Sequence, residues 1–284
     1  MVLVPTLQAT VTRPMSRQPL DPDHKVTVPD LVAAKRAGKR ISMLTAYDYP
    51  TALLLDQAGI DCLLVGDSLG MVVQGLTDGL AVTLDQMIYH GRMVARAANR
   101  ALVVVDMPFL SYQVNDDEAI RNAGRILQET GAHAVKLEGG RRCVPAIRRM
   151  VEAGIPVMGH VGLTPQSVRR LGGFKVQRDA DELLADAKAV EEAGAFAIVV
   201  ECVPADLGKR VTQALSVPTI GIGAGPACDG QVLVINDMLG MEQAIKPRFV
   251  KRQADLATII RQAAERYSAE VRDGSYPGAE HVFN

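Results

Sequence analysis

The chain has 284 residues, 48% hydrophobic and 22% charged, so it is long enough for a large core and too apolar to stay unfolded. Its 31 basic and 32 acidic residues are mixed along the sequence and leave a formal net charge of -1, which excludes the basic footprint of a nucleic-acid or anionic-membrane binder and points to small soluble partners. No apolar run approaches the roughly 18 residues of a membrane span, and Cys62, Cys143, Cys202 and Cys228 lie far apart without metal-binding spacing, which reads as reduced thiols in a cytoplasmic setting.

Residues 1–25, rich in proline and without an acid before Asp21, read as a flexible tail, leaving 26–284 as a single domain. A helix is expected over VPDLVAAKRAGK (28–39), with Pro29 near its start and Asp30 in its first turn, placed to plug a barrel floor. A rhythm then sets in of amphipathic stretch, glycine and short apolar run. The junctions QAGIDCLLV, ETGAHAVKL, EAGIPVMGH and EAGAFAIVV put Gly59, Gly131, Gly154 and Gly194 where a helix ends in a residue of positive φ. Eight runs qualify as strands: 41–47, 62–68, 101–107, 134–139, 156–162, 197–203, 218–225 and 231–237. Near-continuous apolar strands alternating with helices make a parallel sheet covered on both faces, and eight such units fit a closed (β/α)8 TIM barrel of about 250 residues. Only PACDG separates the last two runs, too little for a crossover helix, so either that unit is degenerate or the eighth strand begins elsewhere. A long amphipathic C-terminal helix is expected over 246–274, with Ile259, Ile260, Ala263 and Tyr267 at helical spacing.

In this barrel type functional residues stand at the carboxyl ends of the strands. Those ends read Tyr47 and Asp48, Asp67 and Ser68, Asp106, Lys136 and Glu138, His160, Glu201, then Gly221, Gly223 and Gly225. Four carboxylates (Asp67, Asp106, Glu138, Glu201) converging on one mouth repel one another unless a cation neutralises some of them. Oxygen-only ligation, without Cys or paired His, favours Mg²⁺. Taken singly, each carboxylate could equally be a helix N-cap or a salt-bridge partner. Lys136 and Glu138 are two apart on one strand and share a face, where a lysine can hold an anionic substrate or form a plain ion pair. His160 reads either as a substrate hydrogen-bonding group or as a satisfied core histidine, and His90 and His133 read as structural. TIGIGAGPACDG lacks the Walker lysine and the dinucleotide spacing, so its glycines are expected to admit a ligand or a neighbouring backbone.

The segments TAYDYPTA, LLVGDSLGMVVQG, VVVDMPFLSY, VKLEGG, VMGHVGLTPQS, LGGFKVQ, VVECVP, TIGIGAGPACDGQVLVINDMLG and YPGAEHVF resemble the ketopantoate hydroxymethyltransferase family, in the same order, from about residue 26 onward. The resemblance implies a barrel of the phosphoenolpyruvate mutase and isocitrate lyase group. It also implies transfer of a one-carbon unit from 5,10-methylenetetrahydrofolate to 3-methyl-2-oxobutanoate, the first committed step toward pantothenate and coenzyme A. On that resemblance Asp67, Asp106 and Glu138 hold one Mg²⁺ per subunit. Asp67, Ser68, Asp106 and Lys136 hold the oxo acid, with His160 steadying it, and Glu201 is the general base. A glutamate closing an apolar strand is expected to have its pKa raised by desolvation. The family further implies a homo-oligomer, commonly a decamer, using the C-terminal helix. A carbon–carbon lyase of the isocitrate lyase type would need a reactive cysteine in a KKCGH-like loop, and the sequence has none.

Overall fold

In the computed structural model, which describes residues 20–241 and 247–283, eight parallel strands close into a barrel in sequence order. They are β1 (Ile41–Thr45), β2 (Cys62–Val65), β3 (Leu102–Asp106), β4 (Ala134–Lys136), β5 (Val157–Gly162), β6 (Ala197–Glu201), β7 (Thr219–Ile222) and β8 (Gly230–Leu233). All eight apolar runs are strands, and most are shorter than the run because the last polar residues leave the ladder and turn over the mouth. Residues 1–19 of the expected tail lie outside the described residues.

Successive side chains on a strand face opposite ways, and the core divides accordingly. Met43, Leu64, Val104, Met158, Val199 and Val232 pack with one another inside the barrel. Their sequence neighbours Leu44, Leu63, Val103, Val105, Ile198 and Val200 pack outward, in one cluster with Met87, Ile126, Met150 and Val190 of the surrounding helices. Every residue of β2, β3 and β4 is therefore buried, which is why these strands read as unbroken apolar runs. Gly59, Gly131, Gly154 and Gly194 all take positive φ at the helix-to-strand junctions.

The first helix spans Val28–Arg36 and is capped where Asp30 Oδ2 accepts from the Thr27 amide (2.9 Å) and hydroxyl (2.6 Å). Leu31 and Ala34 join the interior cluster, so the helix does plug the floor. Between β7 and β8 the chain carries no helix, yet the strands are parallel neighbours, with Ile220 opposite Gly230. The unit is degenerate and the eighth strand starts one residue before its expected position. Asp229 holds this seam, its Oδ2 accepting from the Thr219 amide (2.8 Å) and from Lys35 Nζ (2.9 Å). Gly230 lets β1 and β7 close on β8, since a Cβ there would stand 2.6 Å from the Ile41 carbonyl oxygen.

The C-terminal helix spans Leu256–Asp273, starting later than the expected 246. Asp255 caps it, and the Gln253 and Leu256 amides donate to Met238 and Leu239 carbonyls, which ties the preceding segment to the barrel instead of to a helical turn. None of the helix's residues is buried. No cysteine is paired among the described residues, and none of their helices is long and apolar enough to cross a membrane.

Candidate active site

The rows that fill the barrel continue upward into polar residues. Leu102 and Val104 lead to Asp106, Ala134 to Lys136 and Glu138, Met158 to His160, and Ala197 and Val199 to Glu201, each two residues on and so on the same interior face. Register puts Asp106 beside Lys136, and their side chains form an ion pair of 2.7 Å that is almost fully enclosed. Past Gly66 the chain turns so that the Asp67 amide donates to Asp106 Oδ2 (3.2 Å). Ser68 Oγ shares a hydrogen bond with the Tyr47 hydroxyl (2.9 Å). His160 stands between two acids, Nε2 at 3.1 Å from Glu201 Oε2 and Nδ1 at 3.5 Å from Glu138 Oε2. One mouth thus gathers all seven side chains expected from the sequence.

Four carboxylates face one ammonium here, so the local charge is strongly negative. Burial, and then the neighbouring Asp106 charge, push the Asp67 carboxyl up to about 6. Burial and then Asp67 hold Glu138 well above the usual carboxylate range, and burial raises Asp106 although Lys136 opposes it. Burial works against the Lys136 charge, but Asp106, Asp67 and Glu138 together outweigh it and its pKa rises. Burial, then Lys136, depresses His160, against the pull of Glu201. The expectation of a dry Glu201 is not met. Its side chain is 17% exposed against 5% for Asp106 and Glu138, because the last residue of β6 leans into the mouth above its apolar strand.

A hard cation suits this donor set, which is all oxygen, short of positive charge and includes a buried Asp106 Oδ1 that is ion-paired but makes no hydrogen bond. The three acids are nevertheless not a finished cage. No group of three His, Cys, Asp or Glu among the described residues is disposed to hold a metal unaided. Mg²⁺ ordinarily takes one or two carboxylates and fills its shell with water and substrate oxygens, so the incomplete set fits that ion better than it would a structural one.

Other sequence readings resolve as follows. His90 Nδ1 lies 2.6 Å from the Tyr47 carbonyl and His133 Nδ1 accepts from the Val103 amide (2.9 Å), both structural roles. Around Gly223 and Gly225 the close neighbours are the Phe249 ring and Ala205, so the glycine loop admits the protein's own chain. Two cavities of about 470 and 400 Å³ flank the turn Gly140–Cys143 just beyond Glu138. Sequence reasoning missed Gln166, buried in the turn Pro165–Ser167, which donates its amide Nε2 to Asp67 Oδ2 (2.9 Å) and its backbone N–H to Glu138 Oε1 (2.7 Å). A glutamine in a turn carries no signal of its own, because only barrel closure brings the loop after β5 over the ends of β2 and β4.

A closed (β/α)8 barrel whose acid, base and cationic side chains crowd the carboxyl ends of its strands is a barrel enzyme. The ketopantoate hydroxymethyltransferase profile matches residues 25–279, and the chain belongs to that family. It is 56% identical over 263 residues to the 3-methyl-2-oxobutanoate hydroxymethyltransferase of Trichlorobacter lovleyi, covering 92% of this chain and 99% of that one. The enzyme of that name from Moorella thermoacetica is 57% identical over 263 residues, with 91% and 98% covered. Among solved structures, 2,3-dimethylmalate lyase of the phosphoenolpyruvate mutase and isocitrate lyase superfamily superposes with a TM-score of 0.59 at 18% identity, over 90% of this chain and 91% of that one. Phosphonopyruvate hydrolase in complex with oxalate and Mg²⁺ gives a TM-score of 0.60 at 15% identity, over 91% and 92%. At such identities the likeness is one of fold.

Proposed function

We propose that this chain transfers a hydroxymethyl group from 5,10-methylenetetrahydrofolate to 3-methyl-2-oxobutanoate, forming ketopantoate in a pantothenate pathway. The observation that carries the reading is the division of the mouth into two parts. Asp67, Asp106 and Glu138 crowd about Lys136, while Glu201 stands across His160 from them and reaches the opening. That is the arrangement a reaction needs when one part must hold an anionic oxo acid and the other must remove a proton from its carbon.

Asp67, Asp106 and Glu138 are the residues to hold Mg²⁺, which when bound supplies Lewis-acid polarisation of the 2-oxo group. Lys136 offers its buried ammonium to the substrate's negative charge, and Ser68, oriented by Tyr47, offers a hydroxyl. Glu201 takes the C3 proton, the electron pair moving toward the carbonyl oxygen, and His160 fixes the Glu201 carboxylate through their 3.1 Å contact. Water adds to the methylene carbon as both of its carbon–nitrogen bonds to the folate break, and C3 bonds to that carbon; the two protons of the water and the one taken from C3 end on the two folate nitrogens and the new hydroxyl. That carbon carries no oxygen in the folate, so the product's hydroxyl oxygen comes from water.

A cytoplasmic homo-oligomer, with the unburied C-terminal helix at its contacts, completes the proposal. The deciding experiment incubates the protein with both substrates and Mg²⁺, with and without chelator, and detects ketopantoate by mass spectrometry. Absence of metal-dependent product would overturn the assignment.

A further inference from the structure

Gln166 has more partners in the mouth than any residue proposed to act there. Its Nε2 donates one hydrogen to Asp67 Oδ2 (2.9 Å) and the other to the Met107 carbonyl (2.9 Å), directly after Asp106. Its Oε1 accepts from the Tyr112 hydroxyl (2.7 Å) and from Gln113 Nε2 (3.0 Å). Its backbone N–H donates to Glu138 Oε1 (2.7 Å), while the Glu138 amide in turn donates to the Tyr112 hydroxyl (3.2 Å). Every hydrogen-bonding position of the side-chain amide is filled. A flipped amide would set its oxygen against the Asp67 carboxylate and the Met107 carbonyl, so the orientation is determined.

Two features raise this above ordinary packing. Among the described residues Gln166 is the only hydrogen-bond donor to the side chain of Asp67 and the only one to that of Glu138. It also touches the ends of three strands at once, β2 through Asp67, β3 through Met107 and β4 through Glu138, which are the strands that carry the three acids. Without it neither carboxylate would keep a hydrogen bond from the protein to fix its orientation.

We propose that Gln166 is the positioning residue of the cation site, holding Asp67 and Glu138 at the orientation and separation that select Mg²⁺, with Tyr112 locking the amide. The inference rests on the proposed Mg²⁺ site. Mg²⁺ demands nearly octahedral geometry whereas Ca²⁺ accepts irregular shells, so loosening the acids weakens the smaller ion most. Residues that orient metal ligands typically account for 10–100-fold in affinity.

The test is Mn²⁺ binding to the full chain by electron paramagnetic resonance, without substrate, with Mg²⁺ and Ca²⁺ as competitors. Gln166→Met, close in volume, removes the side-chain donors to Asp67 and Met107 and keeps the backbone N–H to Glu138; it is expected to weaken Mn²⁺ and Mg²⁺ about 10–100-fold and Ca²⁺ much less. Tyr112→Phe, which leaves both donors to the acids in place, is expected to shift the same ratio by a smaller factor and to add nothing on top of Gln166→Met. A merely structural glutamine would change melting temperature and leave the Mg²⁺ to Ca²⁺ ratio where it was, and that result overturns the inference. Should Gln166→Met fail to fold, an unchanged ratio in Tyr112→Phe overturns it equally. If the unaltered chain binds no divalent ion, the proposed function fails instead.

Discussion

At the scale of single residues, the proposed reaction gives Glu201 and Asp67 opposite duties although both are carboxylates at strand ends reaching the same opening. Glu201→Gln keeps the shape and the contact with His160 but cannot take up a proton. Solvent exchange of the C3 hydrogen of 3-methyl-2-oxobutanoate, followed by deuterium NMR, is expected to fall by about 100- to 10,000-fold while Mg²⁺ affinity is unchanged; retained exchange would remove Glu201 from the base role. Asp67 sets a pH dependence. Its folded carboxyl is pushed up to about 6 from an ordinary 3.8, so between those values the folded chain keeps a proton that the unfolded chain has released. This group's contribution to stability therefore falls as pH rises through that window and is level above it. A cation bound at Asp67 would take the place of that proton, so Mg²⁺ should raise the melting temperature more at about pH 8 than at about pH 5 in scanning calorimetry, and equal shifts would contradict the proposed role of Asp67 as a ligand. Glu201 is legible in sequence because it closes an apolar row of period two, and Asp67 because it follows an apolar run directly, one residue past the interior row Cys62, Leu64 and Gly66. Their relative dryness is not, since Glu138 owes its enclosure to Gln166 and Tyr112 from distant loops while Glu201 has no such cover.

At the scale of elements, the seam between β7 and β8 is where the barrel departs most from a regular repeat. The apolar run 231–237 was enough to mark β8, but the missing helix left its place in the sheet open. What closes the seam is an ion pair and a close approach, neither of which has periodicity. Asp229→Ala would leave Lys35 Nζ and the Thr219 amide without their shared acceptor, at a cost of about 2 kcal/mol in urea unfolding. Gly230→Ala would press a methyl group on the Ile41 carbonyl and cost about 1–3 kcal/mol. Gly124 provides the opposite sign. It lies inside the helix Asp116–Thr130 with nothing within 4 Å of a built Cβ, so Gly124→Ala should stabilise by about 0.5–1 kcal/mol. If all three substitutions shifted the midpoint alike, the seam would not be the special place argued here. The late start of the C-terminal helix has the same kind of cause, because a cap at Asp255 and two bonds to the barrel outweigh the helix-forming composition of the residues before it.

At the scale of the whole molecule, the barrel completes its mouth from one chain but leaves the C-terminal helix uncovered. Ile260, Tyr267 and Val271 lie seven and four residues apart on one stripe, at 51%, 57% and 48% exposure. An isolated helix of this length is marginal in water, and most helical stability in proteins comes from packing an apolar face. In the proposed homo-oligomer a second copy of the chain would supply such a surface, and the helix-less flank of β7 and β8 offers an apolar cavity of about 540 Å³ lined by Ile222, Val232, Leu233 and Phe249. The expected outcome is that sedimentation velocity finds the unaltered protein larger than one chain, and that Ile260→Glu combined with Tyr267→Glu gives a smaller particle. Because Asp67, Asp106, Glu138 and Gln166 all belong to one barrel, the smaller particle should still bind Mn²⁺. A monomeric unaltered protein, or a double variant that sediments like it, would show that the stripe needs no second chain.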